Sequence, residues 1–131
     1  MISGLNRFHG HASLGQVYKR GQVVRGPQVS LKYALNQRRH SYRAAVVVSR
    51  KVDKSAVGRN RIRRRIYEII RLESPAITRP YDLVFTVFDA QLAELEGVKL
   101  RQLVHSQLRK AGVITSVSGG SRAIVESKET E

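Results

Sequence analysis

At 131 residues the chain is sized for one compact domain. Lys and Arg number 24 against 10 Asp and Glu, a formal charge of +14 that directs it to polyanions, while 41% hydrophobic residues can close a small core and argue against global disorder. With no cysteine there is no disulfide framework, no thiolate zinc site and no Cys nucleophile.

His11 to Arg20 opens the periodic pattern: Leu14, Val17 and Tyr18 stand at i, i+3 and i+4, and Gly21 is placed to stop a short helix that Gly15 weakens. Gln22 to Arg25 reads as an extra edge strand. Gln28 to Leu35 alternates strictly, with Val29, Leu31, Tyr33 and Leu35 on one face and Gln28, Ser30, Lys32 and Ala34 on the other, the pattern of a half-buried strand. Tyr42 to Ser49 carries the β-branched run Val46, Val47, Val48, suited to a central strand, and the polar stretch Asn36 to Ser41 predicts a hairpin between these two strands.

From about Lys54 to Glu73 the period becomes 3.6, with Ile62, Ile66, Ile69 and Ile70 at i, i+4, i+7 and i+8. Pro75 and Pro80 end this helix, and Tyr81 to Phe88 returns to a strand pattern, so strand, helix, strand implies a parallel crossover. A last helix covers Val98 to Ala111, with Leu100, Leu103, Val104 and Leu108 on one face and Gly112 as its left-handed stop. The expected fold is a single-domain α+β two-layer sandwich of about four strands over residues 1–114. Residues 115–131 read as a flexible tail.

Charge follows the same division. Arg122 and Lys128 against Glu126, Glu129 and Glu131 leave the tail at −1 and residues 1–114 at +15, so the positive potential belongs to the folded body. About half of it, +7, lies between Arg50 and Arg71. On a helical projection Asn60, Arg61, Arg64, Tyr67, Glu68 and Arg71 fall opposite the isoleucine stripe, with Arg63 and Arg65 on its flanks. An ordinary solvated helix mixes signs to gain i,i+4 pairs, whereas here Arg63, Arg64 and Arg65 repel one another. Guanidinium forks on a rigid scaffold match phosphates, so the pattern points to a nucleic-acid backbone. Gly58 and Asn60 are poor helix formers, costing on the order of 0.5 to 1 kcal/mol each relative to Ala, and Ser55 or Asn60 is the candidate cap.

Ser49-Arg50-Lys51-Val52 followed by Ala56-Val57-Gly58-Arg59-Asn60-Arg61-Ile62-Arg63-Arg64 resembles the signature of the bacterial ribonuclease P protein subunit. The resemblance extends from Leu14-Gly15-Gln16-Val17-Tyr18-Lys19-Arg20-Gly21 through Tyr81-Asp82-Leu83-Val84 to the Leu103 to Gly112 segment, roughly residues 5 to 114. It implies a fold like the second domain of ribosomal protein S5, with an uncommon left-handed βαβ crossover through the basic helix.

It also implies that the chain binds a catalytic RNA through Arg50, Lys51, Lys54, Arg59, Asn60, Arg61, Arg63 and Arg64, and that the complex removes the 5′ leader of precursor tRNA. By the same resemblance, divalent Mg ions are held mainly by the RNA, and the protein is a monomer within the ribonucleoprotein. The family's leader cleft, between its first helix and the sheet, maps onto Leu14, Tyr18, Lys32 and Tyr33. Leu14 replaces a common Phe and Lys32 a common aromatic, with Tyr33 displaced by one place, so leader stacking is expected to be weaker or differently built. Read without the resemblance, Leu14 and Val17 serve equally well as core contacts of a short helix.

A protein-borne nuclease site would need clustered carboxylates or histidines. Asp53, Glu68, Glu73, Asp82, Asp89, Glu94 and Glu96 form no evident cluster, and His9 and His11 read as loop or RNA contacts rather than metal ligands. Two other classes fit a small basic α+β domain: a ribosomal protein, and a polybasic protein on a membrane surface. The second lacks an exposed apolar anchoring face, and the densest apolar run, Ala44 to Val48, is far shorter than the ~20 residues of a spanning helix. With no apolar signal-like core between Met1 and Leu14, a soluble cytoplasmic protein is expected.

Overall fold

The structure is a computed structural model and describes residues 17–114. Residues 17–20 are helical and end where the Gly21 amide donates to Val17 O at 2.7 Å. A Cβ on Gly21 would stand 2.4 Å from that same oxygen, so the stop needs glycine for close approach. Then come β1 (Gln22–Val24), β2 (Val29–Leu35), β3 (Arg43–Val48), α1 (Ala56–Glu73), β4 (Tyr81–Val87) and α2 (Gly97–Ala111). Short 3-10 turns at Ser74–Ala76 and Ala90–Ala93 flank β4.

The sheet order is β1-β2-β4-β3. β2 runs antiparallel to both β1 and β4, from Val29↔Val87 to Leu35↔Tyr81, and β3 runs parallel to β4, from Arg43↔Asp82 to Val48↔Val87. The parallel crossover through α1 is therefore as the sequence implied. The predicted hairpin is not: β2 and β3 do not pair, because β4 lies between them, and the β-branched strand β3 is an edge strand.

The reason lies in the polar stretch that resembled a hairpin turn. Its residues cross over the start of β4, where Asn36 N donates to Pro80 O at 2.9 Å and Asn36 Nδ2 donates to Asp82 Oδ2 at 3.1 Å. From the other side Arg43 gives Nε and Nη2 to the two Asp82 oxygens, both at 3.0 Å. One buried carboxylate on the central strand thus ties together the strands on both its sides.

One face of the sheet carries the main core. Val29, Leu31, Val46, Val48, Leu83, Phe85 and Val87 meet Ile62, Ile66, Ile69 and Ile70 of α1 and Leu100, Val104 and Leu108 of α2. Phe85, on the central strand, is fully enclosed. α1 packs over β3, and α2 over β2 and β1. At about 25 cal/mol per Å² of apolar surface, these side chains supply most of the folding drive. The opposite face holds the cross-strand row Lys32, Val84, Ala45, and Val17, Ala45 and Val84 are buried without joining the main core cluster.

Tyr67 departs from the helical projection. It is buried, and its hydroxyl accepts from Val46 N at 3.2 Å. Tyr67 sits about 60° round the helix from Ile70, close enough to the apolar stripe to tuck inward, and its polar tip takes up a backbone donor of the edge strand. Arg65 is likewise withdrawn from the cationic flank. It donates Nη1 to Leu92 O at 2.6 Å and Nη2 to Leu95 O, fastening α1 to the turn at Ala90–Ala93.

Candidate nucleic-acid interface

The basic loop between β3 and α1 is a tight, internally bonded structure. Ser49 O accepts from Val52 N at 3.1 Å and from Asp53 N at 3.3 Å, a turn that leaves Arg50 and Lys51 exposed at its tip. Asp53 Oδ1 accepts from Ser55 N at 2.9 Å, and Ser55 caps α1 by accepting from Gly58 N at 3.2 Å. Arg59 reaches back from the first turn and donates Nη1 to Asp53 O at 3.0 Å and Lys54 O at 3.1 Å. No acidic residue occupies the first turn of α1, so its partial positive charge adds to that of the loop.

Along α1 the cations divide by partner. Asn60 Oδ1 accepts from Arg63 Nη2, so Asn60 orients a neighbouring guanidinium while Ser55 is the cap. Arg61 approaches Glu94 at 3.4 Å, but their side chains are 57% and 74% exposed, a pair of little strength. Arg71 donates Nε to both Glu68 oxygens at 3.1 Å, and that hydrogen bonding is the largest cause that lowers the Glu68 carboxyl below its ordinary value. Arg50, Lys51, Lys54 and Arg64 are exposed and carry no side-chain hydrogen bond or ion pair among the described residues.

On the second face of the sheet, Lys32 Nζ lies 5.0 Å from the centroid of the Tyr18 ring and donates to Tyr18 O at 3.1 Å. Tyr18 remains 44% exposed. Tyr33 belongs to the other face. Its hydroxyl donates to Gln22 Oε1 at 2.9 Å and its ring meets Tyr81 edge-on at 6.4 Å. The structure therefore brings Tyr18 and Lys32 together and separates Tyr33 from them, and Leu14 lies outside the described residues.

The family model described as Ribonuclease P matches residues 3–112. The chain belongs to the ribonuclease P protein family. The ribonuclease P protein component of Roseiflexus sp. strain RS-1 is 36% identical over 105 residues, covering 80% of this chain and 84% of that protein. A solved Staphylococcus aureus RNase P protein, a mutant described as having defective mRNA degradation activity, superposes with a TM-score of 0.75 at 23% identity, over 84% of this chain and 91% of that one. The Thermotoga maritima RNase P protein gives 0.70 at 20% identity, over 79% and 96%. These two likenesses show the fold.

As a member of the ribonuclease P protein family, the chain is a component of a tRNA-processing ribonucleoprotein. That sets aside the ribosomal and membrane-surface readings, and no described helix is long and apolar enough to cross a membrane.

One exposed aromatic was missed from sequence. Phe88 follows β4, and its amide donates to Gln28 O at 2.8 Å, so the alternation of Val84 and Thr86 carries it to the face of Lys32, with 52% of it exposed. The signal was present in that alternation. Because β3 and β4 are parallel and in register at Val48↔Val87, Phe88 and the basic loop leave the sheet at the same end.

Proposed function

We propose that this chain is the accessory protein of a cytoplasmic ribonuclease P, binding the catalytic RNA with the loop and α1, and the 5′ leader of precursor tRNA with the second face of the sheet. The observation that carries this reading is the set of exposed cations Arg50, Lys51, Lys54 and Arg64, without partners among the described residues, on a loop and helix that Asp53, Ser55 and Arg59 hold in place. Cations fixed without carboxylate partners fit an external polyanion, and the ordering of the loop is already achieved before RNA arrives. Arg61 and Arg63 extend the row, and Arg59 contributes mainly by shaping the loop.

The leader then runs on the face that holds Tyr18 and Lys32, with Phe88 as a second exposed ring toward the basic-loop end. Unpaired bases stack on aromatic rings, and Lys32 over Tyr18 supplies charge for the phosphates between them. Tyr33, on the opposite face, contributes to the β1–β2 edge instead. Among the described residues no three His, Cys, Asp or Glu side chains gather where they could hold a metal ion. In this reading the divalent ions and the hydrolysis belong to the RNA, and the protein acts as a monomer that binds and orients.

The test is reconstitution. Precursor tRNA is incubated with the protein, with its cognate RNA, and with both, at physiological salt. Cleavage at the mature 5′ end is expected only where the RNA is present, with the protein lowering the substrate concentration needed. Leader removal by the RNA-free protein overturns the division of labour. A reconstituted complex indifferent to the protein overturns the function.

A further inference from the structure

α1 and α2 enclose between them a groove of about 420 Å³ that the basic loop and the leader face do not use. Its floor is apolar, made by Ile69, Leu72 and Leu100, and its rim holds Arg64, Arg65 and Arg101 against one acid, Glu68. Leu72 is left 41% exposed there. We propose that this groove takes one unpaired nucleobase of the same RNA whose backbone lies on α1, an assignment that rests on the RNA-binding reading above.

The rim is built in advance. Arg65 is fixed by two backbone carbonyls across the turn at Ala90–Ala93. Arg101 donates Nε at 3.0 Å to Glu73, a buried carboxylate whose other oxygen meets His105 Nδ1 at 2.8 Å. Glu68 is engaged by Arg71, which partly offsets its charge at the rim. Arg64 belongs both to this rim and to the outer ridge of α1, so the groove opens from the cationic surface and is continuous with it.

A flat apolar body attached to a polyanionic chain matches an apolar floor with cations around it. Unpaired RNA bases are recognised in that way, stacked on side chains and guanidinium planes. A second copy of this chain is a poor occupant, since both bodies carry a large positive charge. Gly97 lines the groove at the start of α2, and a Cβ built on it meets nothing within 4 Å.

Two full-length variants test the assignment by opposite means. Leu72→Ser removes apolar floor at an exposed position, and Gly97→Leu adds bulk to the groove lining at a position where a Cβ displaces no neighbour. Each is bound to the cognate RNA, and the bases are probed with a reagent that modifies unpaired Watson–Crick edges. The wild type is expected to protect one or two unpaired bases that both variants leave reactive. Affinity should fall about 10-fold, with the slope of log affinity against log salt unchanged because no phosphate contact is lost.

Identical protection and affinity in all three proteins overturns the groove assignment. So does self-association of the wild type that Leu72→Ser abolishes, which would make the occupant a second copy. If the wild type itself binds the RNA without salt dependence, it is the underlying RNA-binding reading that fails. Matching thermal midpoints confirm that the variants are folded.

Discussion

The Asp53 carboxylate rests directly against Gly58: a Cβ at position 58 would stand 2.1 Å from Oδ2 and 2.8 Å from Cγ. Asp53 cannot swing aside at no cost, since Oδ1 accepts from Ser55 N. Helix propensity alone credits Gly58→Ala with about 1 kcal/mol, but the methyl must displace a carboxylate hydrogen bond worth a similar amount or more. The expected result is no net stabilisation in urea denaturation, together with several-fold weaker RNA binding as the loop loosens. A gain of the full propensity increment with unaltered binding would show the contact to be idle.

Arg64 and Arg65 are neighbours with different duties, and substitution separates them. Arg64→Gln should leave the thermal midpoint nearly unchanged while lowering the salt slope of RNA binding by about 0.7 to 0.9, the yield of one phosphate contact. Arg65→Gln should leave the slope alone and destabilise by about 1 to 3 kcal/mol, because it strips charged donors from the carbonyls of Leu92 and Leu95. Reversed phenotypes would refute the assignment of the two side chains.

Asp82 is the joint between three strands. Asp82→Ala leaves the half-buried Arg43 without its carboxylate and Asn36 Nδ2 without an acceptor, at a cost of about 3 to 5 kcal/mol. Equilibrium denaturation reads this directly, and a loss under 1 kcal/mol would mean that the crossing over β4 holds without it.

Hydrogen bonding from Arg71 is the largest cause that lowers the Glu68 carboxyl below its ordinary value. Its folded pKa is depressed, so whatever the pair contributes is present above the unfolded carboxyl range near 4.5 and fades as pH falls through the lowered folded value. A carbon-detected titration should therefore find the Glu68 midpoint below 4.5, and in Arg71→Gln the midpoint should move up toward the ordinary value. A wild-type midpoint already near 4.5 would contradict the pairing.

Local pattern carried the elements well, and tertiary pairing carried what pattern missed. The 3.6 period placed the isoleucine stripe of α1, Gly112 ends α2 with φ at 77°, and strict alternation placed β2. Strand order was less legible, because a polar connector reads alike whether it turns back beside its own strand or steps over a third. Asn36 and Arg43 look like turn and strand-edge residues until Asp82, some forty positions later, gives them a common partner. Within the candidate site, charge density marked the basic loop and α1, but only geometry distinguishes cations that face outward from Arg59 and Arg65, which spend donors on backbone carbonyls. Tyr33 was misleading for a simpler reason: a shift of one residue along a strand exchanges faces.

The strand that completes the sheet is the last to be made. Until residues 81–87 leave the ribosome, β2 and β3 have no common neighbour, and the isoleucine face of α1 lacks the side chains of Leu83, Phe85 and Val87 to rest on. The two most extensive strand pairings, β2 with β4 and β3 with β4, wait for that insertion, the kind of topology that slows folding. A half-synthesised chain thus presents its arginines before it can shield its isoleucines.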